Sequence, residues 1–202
     1  MKAALETLPE SSVLTTIQHQ INHRINTPLT SSIGRLFDAA AALAGIRQTI
    51  NYEAQAAIEF EAIADPNEIG FYPFDITEET AFDGDQASSC IKTYIIDPSP
   101  LLKELVDDIK VHTPKPIISS RFHNGVAEMV KNVASTLRQD TGISQIALSG
   151  GVWQNTKLLT KTVVLLQSCN FTVLLHHQVP PNDGGISLGQ AVIGHFWLTD
   201  IE

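Results

Sequence analysis

Two segments in the last quarter of this chain repeat one local pattern, a short apolar run followed by paired glycines and then by helical periodicity. In the first, the run 145–148 (QIAL) predicts a buried strand, and a Ser-Gly-Gly turn separates it from a helix predicted over 156–168. In the second, the run 171–175 (FTVLL) leads to 180–185 (PPNDGG), and a helix is predicted over 186–198. Together they predict a βαβα unit.

Paired glycines at such junctions have a chemical meaning. Because Gly150 and Gly151 carry no side chains, a flat ring or a phosphate can approach the backbone there. The start of the following helix supplies unpaired N–H groups and a positive dipole end. One Gly-Gly turn is a weak signal. Two of them, with Asn155 at one junction and Asp183 at the other, indicate a ligand site.

Composition limits the classes of protein to consider. The 202 residues are 43% hydrophobic and 17% charged, which is typical of a globular protein with a sizeable core. The formal net charge is −9 and no cluster of Lys or Arg is present, so no nucleic-acid partner is expected. No apolar run approaches the roughly 18 residues of a membrane span, and the N-terminal sequence lacks a signal-peptide core. We expect a cytoplasmic protein with reduced thiols at Cys90 and Cys169.

The chain is predicted to have two parts within one compact unit, a helical segment over 1–65 and an α/β lobe over 66–202. Three helices are expected in the first part. One covers 13–24, one follows the capping segment 30–32 (TSS), and one covers 52–64.

The α/β lobe begins with a less regular stretch, and 66–90 is the best candidate boundary. The aromatic and proline-containing segment 66–84 predicts a loop or a short strand. A strand is predicted over 91–96 (IKTYII), and helices over 98–111 and 122–140. With the closing βαβα unit, this order predicts an α/β fold in which helices flank a small mixed sheet.

Five segments, in order along the chain, resemble the C-terminal part of the HypF carbamoyltransferases of hydrogenase maturation. They are 26–38 (NTPLTSSIGRLFD), 52–57 (YEAQAA), 121–124 (RFHN), 147–155 (ALSGGVWQN) and 179–191 (VPPNDGGISLGQA). The resemblance runs from about residue 14 to the end of the sequence. It implies an actin-like ATPase-class lobe, similar to the catalytic subunit that makes threonylcarbamoyl-adenosine in tRNA.

The resemblance also implies a reaction. HypF enzymes join carbamoyl phosphate and ATP into carbamoyl adenylate and pass the carbamoyl group to the C-terminal cysteine of HypE. That group becomes the cyanide ligand of nickel–iron hydrogenase. The implied ligands are therefore carbamoyl adenylate and a divalent metal, and the implied partner is a HypE-like acceptor. Because the acceptor supplies the nucleophile, no catalytic nucleophile is assigned in this chain.

Position by position, the resemblance implies nucleotide contacts in the 1–65 segment. Asp38 stands where a carboxylate takes the ribose hydroxyls, Glu53 shares that role, and Gln55 contacts the nucleotide. A carboxylate suits this role because it accepts hydrogen bonds from both hydroxyls of a ribose. The sequence departs from the pattern at Ala54, where a glycine is usual.

In the α/β lobe, the resemblance implies that Gly150, Gly151 and Asn155 lie on the adenine side and that Asp183 is a metal ligand. An amide both donates and accepts at a purine edge, and a carboxylate suits a hard cation. In the relatives a His-x-x-x-His pair completes the metal site from a first lobe that this sequence lacks. The chain is therefore expected to be one lobe of a larger enzyme, weakly active or inactive alone.

Ordinary structural roles compete with these assignments. Asp38 could pair with the arginine three positions before it, and Asp183 could simply form a turn. His19 and His23 are spaced for metal binding but are interpreted as surface residues. The segment 121–123 (RFH) stays open between a packing role and a nucleotide contact.

Two other functions stay open. A non-catalytic interaction module would keep the fold and dock a partner through an exposed apolar face. A threonylcarbamoyl or O-carbamoyl transferase lobe is a related option, although 34–38 (GRLFD) and the RFH segment favour HypF, and the acidic charge argues against tRNA. Hydrolase, P-loop and Rossmann enzymes are disfavoured because their glycine and nucleophile motifs do not occur.

Overall fold

The computed structural model describes residues 11–82 and 90–199, which form both helices and strands. The elements are α1 (Ser11–His23), α2 (Ile33–Leu43), α3 (Gln55–Ala62), β1 (Asp75–Phe82), β2 (Cys90–Asp97), α4 (Ser99–Lys110), α5 (Lys115–Thr141), β3 (Gln145–Ala147), α6 (Thr156–Ser168), β4 (Thr172–Leu174) and α7 (Ile186–Thr199). Short 3-10 helices, Gly151–Gln154 and Asp183–Gly185, precede α6 and α7. The predicted α/β class is confirmed. Part of the predicted 66–90 boundary, residues 83–89, lies outside the described residues.

The chain divides into two compact units. The first takes in the chain through Glu68 together with Leu102–Ser120, and the second takes in Ile69–Leu101 and the chain from Arg121 onward. One division lies between α3 and β1, and the other two fall inside α4 and α5, so neither unit is one continuous stretch of sequence.

The first unit is built on the packing of α2 against α3. Ser32 caps α2, because its hydroxyl accepts a hydrogen bond from the Arg35 N–H at 3.4 Å, as the TSS segment predicts. The buried hydrophobic side chains of the two helices are either small or aromatic: Phe37, Ala40, Ala41, Ala56 and Phe60. The Ser120 hydroxyl donates to the Asp65 carbonyl at 2.6 Å and fixes the chain that follows α3.

Histidines 19 and 23 lie at the surface of α1, as the sequence predicts. Their rings stack with centroids 4.0 Å apart, and His23 Nδ1 lies 2.9 Å from the carbonyl oxygen of His19. Both side chains are exposed.

In the second unit, β1 and β2 form an antiparallel pair with Ile76 opposite Ile96. The strand predicted over 91–96 is confirmed as β2. Its partner β1 (DITEETAF) is a full strand of 8 residues, whereas the sequence leaves 66–84 as a loop or short strand. The acidic residues of β1 carry little strand preference, so pairing with β2 stabilises the strand.

Polar side chains link β2 to the end of α5, and we call Lys92, Tyr94, Glu78 and Asp140 the hairpin clamp. Lys92 Nζ lies 2.8 Å from Asp140 Oδ1 and 3.1 Å from Glu78 Oε2. Tyr94 donates its hydroxyl hydrogen to Asp140 Oδ2. The hydrogen bond between Lys92 and Asp140 raises the pKa of the amine and lowers the pKa of the carboxyl. The bond to Asp140 also raises the pKa of Tyr94.

Strands β3 and β4 lie parallel, with Ile146 opposite Val173, and α6 connects them. Leu148, Leu166 and Phe171 form the buried core of this β-α-β unit. Among the described residues, the parallel and antiparallel pairings lie in two separate two-stranded sheets, not in the single small mixed sheet that the sequence suggests.

Helix α5 begins at Lys115, earlier than the predicted range of 122–140. Pro114 and Pro116 make this region look like a loop. A proline in the first turn of a helix is nevertheless tolerated, because its missing N–H would have no intrahelical partner there.

The chain before β1 packs closely on α5 at Gly125. A Cβ atom built at Gly125 would overlap the carbonyl oxygen of Tyr72, so only glycine allows this approach. The Tyr72 N–H donates to the Arg121 carbonyl at 3.2 Å, and Asn124 Nδ2 donates to the Gly70 carbonyl at 2.7 Å. These contacts hold the segment before β1 against α5.

Helix α7 leaves its apolar side chains largely exposed. The exposed set is Ile186, Leu188, Val192, Ile193, Phe196, Trp197 and Leu198. The exposed fraction is 73% for Trp197 and 59% for Phe196, values that are unusual for such large apolar side chains. No helix within 11–82 or 90–199 is both long enough and apolar enough to span a membrane.

Candidate functional site

Asp38, the predicted ribose contact, lies partly buried on α2 in the first unit. Its Oδ2 lies 2.9 Å from Arg35 Nη2, so the ion pair considered from the sequence does form. Its Oδ1 is buried and has no hydrogen-bond partner among the described residues. A buried polar atom without a partner is unfavourable unless a ligand supplies one. Asp38 therefore retains one acceptor for a hydroxyl donor.

Gln55, the second predicted nucleotide contact in this unit, is buried and already bonded by the protein. Its Oε1 accepts from the Asn51 N–H at 2.8 Å, and its Nε2 donates to Glu59 Oε1 at 3.0 Å. Arg47 Nε donates to the other oxygen of Glu59 at 2.7 Å. This bond from Arg47 lowers the pKa of Glu59 and raises the pKa of the arginine. The Gln55 amide thus has a structural role, because it links the backbone at Asn51 to the side chain of Glu59.

Glu53, predicted near the start of a helix, instead lies exposed in the turn before α3. The helix was predicted over 52–64 but begins at Gln55, because Ala54 adopts the left-handed conformation with φ 62°. This conformation costs a non-glycine residue about 1–2 kcal/mol. The penalty gives a physical reason for the glycine that is usual at this position in the sequences that the segment resembles.

The two glycine junctions meet within the second unit. The Gly150 N–H donates to the Pro181 carbonyl at 2.7 Å. Gly150 has φ 107° and ψ 158°, a conformation that residues with side chains rarely adopt, so the backbone itself requires glycine there. The chain then makes the 3-10 turn Gly151–Gln154 before α6 begins.

Gly151 differs from the other junction glycines. A Cβ atom at Gly151 would meet nothing nearer than Asn182 Cβ at 3.9 Å, and its φ is not positive. A Cβ atom at Gly185, in contrast, would lie 2.8 Å from the Pro180 carbonyl oxygen. The fold therefore accounts for glycine at Gly150 and Gly185 but not at Gly151. There the missing side chain leaves the backbone open to a ligand.

Asn155, the predicted adenine-side contact, caps α6. Its Oδ1 accepts from the Leu158 N–H at 2.8 Å, and its Nδ2 lies 2.9 Å from Nε2 of His123. His123 and its neighbour Phe122 are fully buried on α5. The RFH segment therefore has a packing role, and it brings a histidine against a predicted site residue that lies 32 positions away in sequence.

Lys161 is a residue that sequence reasoning missed. Its Nζ, on α6, donates to Asn124 Oδ1 on α5. The contact places the positive charge of Lys161 against α5, the helix that also carries His123. No local sequence signal marks Lys161, and the RFH segment marks His123 without its partner, because both contacts join elements that are distant along the chain.

Asp183, the predicted metal ligand, is exposed at the start of the 3-10 turn before α7. The neighbouring Asn182 accepts from the Gly184 N–H at 3.0 Å, so this segment also forms a capped turn. Within 11–82 and 90–199, no group of three or more His, Cys, Asp or Glu side chains could hold a metal. The donors of the described residues therefore do not by themselves fit a metal ion.

The family described as "Carbamoyltransferase, Kae1-like Domain, second subdomain" matches residues 2–190. The chain belongs to this family. The predicted relationship to the C-terminal part of HypF is thereby confirmed.

Members of this carbamoyltransferase family among curated proteins are much longer than this chain. Carbamoyltransferase HypF of Synechocystis is 36% identical over 172 residues, which cover 85% of this chain and 20% of the relative. The HypF of Rhizobium leguminosarum bv. viciae is 31% identical over 182 residues, covering 90% of this chain and 22% of the relative. The chain thus spans about a fifth of these relatives.

Solved HypF structures share the fold. Full-length HypF "in the phosphate- and nucleotide-bound form" matches with a TM-score of 0.85 and 39% identity, over 98% of this chain and 24% of that one. HypF of T. kodakarensis matches with a TM-score of 0.72 and 26% identity over the same shares. The roles of the seven predicted site residues, and the actin-like class of the lobe, stay predictions.

Proposed function

We propose that this chain is the lobe of a HypF-type carbamoyltransferase that holds carbamoyl adenylate while the carbamoyl group passes to the C-terminal cysteine of a HypE-like acceptor. The observation that carries the proposal is the TM-score of 0.85 with HypF in a phosphate- and nucleotide-bound form. Carbamoyl phosphate and ATP are then substrates of the complete enzyme, which works in the cytoplasm in maturing nickel–iron hydrogenase.

The proposed reaction is an acyl transfer. The acceptor thiolate attacks the carbonyl carbon of carbamoyl adenylate and forms a C–S bond. The bond from that carbon to the phosphate oxygen breaks, and AMP leaves with the electron pair. Since the nucleophile comes from the acceptor, this chain contributes by holding the adenylate in a reactive position.

Two of the proposed contacts, those of Asp38 and Gly151, have structural support of their own. Asp38 binds the ribose through the carboxylate oxygen that lacks a partner among the described residues. Gly151 lets the nucleotide approach the backbone at a position where the fold does not require glycine. Asn155 contacts the adenine. Gly150, at the same junction, sets the backbone conformation of the turn that precedes Asn155. Gln55 holds its segment in place and contacts the nucleotide, and exposed Glu53 assists Asp38.

We expect a divalent metal in the complete enzyme only. Asp183 would supply one oxygen ligand, and the other ligands would come from elsewhere. No step is assigned to a metal, because the described residues do not form a site for one.

Calorimetric titration of the purified chain with ATP tests the proposal. Asp38→Asn replaces one carboxylate oxygen by an NH2 donor, and with the remaining oxygen facing Arg35 the unpaired acceptor is lost. Gly151→Ala adds a methyl group where the fold leaves room. Asp107→Asn is the matched control, because Asp107 pairs with Lys110 at 2.8 Å with the same i,i+3 spacing as Arg35 and Asp38. We expect ATP binding by the wild type, a loss of about tenfold or more in the first two variants, and no change in the control.

Two results would contradict the proposal. One is a well-folded wild-type chain, checked by circular dichroism, that binds no ATP. The other is a Gly151→Ala variant that binds ATP as tightly as the wild type.

A second candidate function, a non-catalytic interaction module, is favoured by the exposed apolar side chains of α7. Such a surface indicates contact with another polypeptide. The family is described as a second subdomain, and this chain covers 20% of the Synechocystis relative. We therefore propose the first subdomain of the same domain as the polypeptide that covers α7.

Binding of the chain to the HypF region that precedes the matched segment in the Synechocystis relative tests this candidate. Phe196→Ser and Trp197→Ser should weaken binding, because both side chains would be buried in the contact. Val111→Ser is the control, since Val111 is exposed to 72%, close to the 73% of Trp197. Equal binding by all variants, or self-association in place of binding, would contradict the proposed partner.

A further inference from the structure

The carboxamide of Asn155 is held in one orientation from two sides. Its oxygen faces the Leu158 N–H at 2.8 Å, and its nitrogen faces His123 Nε2 at 2.9 Å. The main-chain N–H can only donate, so the atom that faces it has to be the carbonyl oxygen. The Leu158 N–H therefore identifies the atom that faces the histidine as the amide nitrogen, and His123 holds the end of the amide that the backbone of α6 does not.

The same contact defines the state of His123. An amide nitrogen only donates, so Nε2 has to accept and the ring is neutral, with its proton on Nδ1. Because His123 is fully buried on α5, it is a fixed acceptor and not an adaptable surface group. If the amide turned over, its NH2 group would face the Leu158 N–H, and its oxygen would face the accepting Nε2 of His123.

The arrangement leaves a defined pattern on Asn155 for a ligand. One Nδ2 hydrogen and one lone pair of Oδ1 stay unused by His123 and Leu158. The Watson–Crick edge of adenine presents an acceptor at N1 beside a donor at N6. Guanine presents the reverse, a donor at N1 beside an acceptor at O6. For a base that is held in one position, an amide that can turn over serves both bases, whereas an amide held in one orientation serves only one of them.

We propose that His123 makes the site select adenine over guanine by holding the carboxamide of Asn155 in a single orientation. The inference rests on the proposed function, in which Asn155 contacts the base. His123 is a positioning residue, because it acts through Asn155 and does not touch the nucleotide.

Titrations of three variants with ATP and with GTP test the proposal. His123→Leu removes the acceptor at similar volume, and His123→Gln restores one through its side-chain carbonyl. His177→Leu, at an exposed histidine, is the control. The ratio of ATP to GTP affinity should fall roughly tenfold in His123→Leu and recover in His123→Gln. An equal loss of affinity for both nucleotides, with the ratio unchanged, would show a merely structural role and overturn the proposal.

Nitrogen-15 NMR separates a failure of this proposal from a failure of the proposed function. We expect an unprotonated His123 Nε2 and an ordered Asn155 side-chain amide in the wild type. The amide should stay ordered in His123→Gln and lose order in His123→Leu. A protonated Nε2 in the wild type, or an unchanged amide in His123→Leu, overturns the positioning. If the folded wild type binds neither ATP nor GTP, both the proposed function and the base selection are rejected. The NMR signals of His123 and Asn155 then still test whether His123 positions the Asn155 amide.

Discussion

The two glycine junctions share a sequence pattern but lead to helices in opposite surroundings. Helix α6, after the first junction, buries Leu158, Thr162 and Leu166. Helix α7, after the second, exposes Phe196 and Trp197. Both helices are apolar along much of their length, so composition alone does not separate them.

The difference shows that an apolar sequence does not by itself bury a helix. Burial also requires other elements that pack against its apolar face. Helix α6 is flanked in the chain by β3 and β4, and packing against these strands gives it a core. Helix α7 follows β4, and its large apolar side chains are exposed. This exposed apolar surface is available to another polypeptide.

A matched pair of leucine truncations gives the largest expected effect. Leu166→Ala on α6 removes a fully buried side chain and should lower the free energy of unfolding by about 2–5 kcal/mol. Leu198→Ala on α7, where the side chain is 73% exposed, should change it by less than about 0.5 kcal/mol. Urea unfolding followed by circular dichroism measures both. Equal effects would remove the contrast between the two helices.

A matched pair of glycine substitutions compares the junctions themselves. Gly185→Ala places a methyl group 2.8 Å from a backbone oxygen and should destabilise the fold by about 1–3 kcal/mol. Gly151→Ala has room for its methyl group and should leave the free energy of unfolding nearly unchanged. If Gly151→Ala is the more destabilising variant in thermal unfolding, the first junction is as tightly packed as the second.

Thr162→Val should stabilise the protein, which sharpens the description of α6 as a buried helix. The Thr162 hydroxyl is buried and has no hydrogen-bond partner among the described residues. Replacing it with a methyl group of similar shape should raise the free energy of unfolding by about 1–2 kcal/mol. Thr160→Val, on the exposed side of the same helix, serves as the control. A destabilised Thr162→Val variant in urea unfolding would mean that the hydroxyl is bonded.

The junction asparagines give the smallest expected difference. Asn155→Ala removes the cap of the 13-residue helix α6 and should cost about 1 kcal/mol. Asn182→Ala removes a bond to Gly184 in a turn of 3 residues and should cost less. Melting temperatures of both variants measure the order of the two effects. The reverse order would show that the second junction depends more on its cap.

Much of the fold was predictable because the signals are local. Apolar runs marked β2, β3 and β4, and helical periodicity marked α6 and α7, so the α/β class was correct. Strand β1 was not predicted in full because its acidic residues have a low strand preference and are stabilised in the strand by pairing with β2. The early start of α5 was missed because prolines suggest a loop. The start of α3 was misplaced because the left-handed backbone of Ala54 leaves no periodic signal.

The sequence predicts the candidate site only as single residues, and their roles stay predictions. The motifs pointed to Asp38, Gln55, Asn155 and Asp183, and the ion pair of Asp38 followed from its spacing. What each side chain contacts could not be predicted. The partner of Asn155 is His123, 32 positions away, and such pairs depend on how the elements pack. Spacing along the chain carries no information about them.

The hairpin clamp has a consequence for the order in which the second unit folds. Lys92 and Tyr94 lie 48 and 46 residues from Asp140, so their contacts close long loops. The entropy cost of closing such loops is offset only after the hairpin and α5 have formed from local contacts. Exposed ion pairs contribute little free energy in return. We therefore expect the clamp to be among the last contacts to form as the second unit folds.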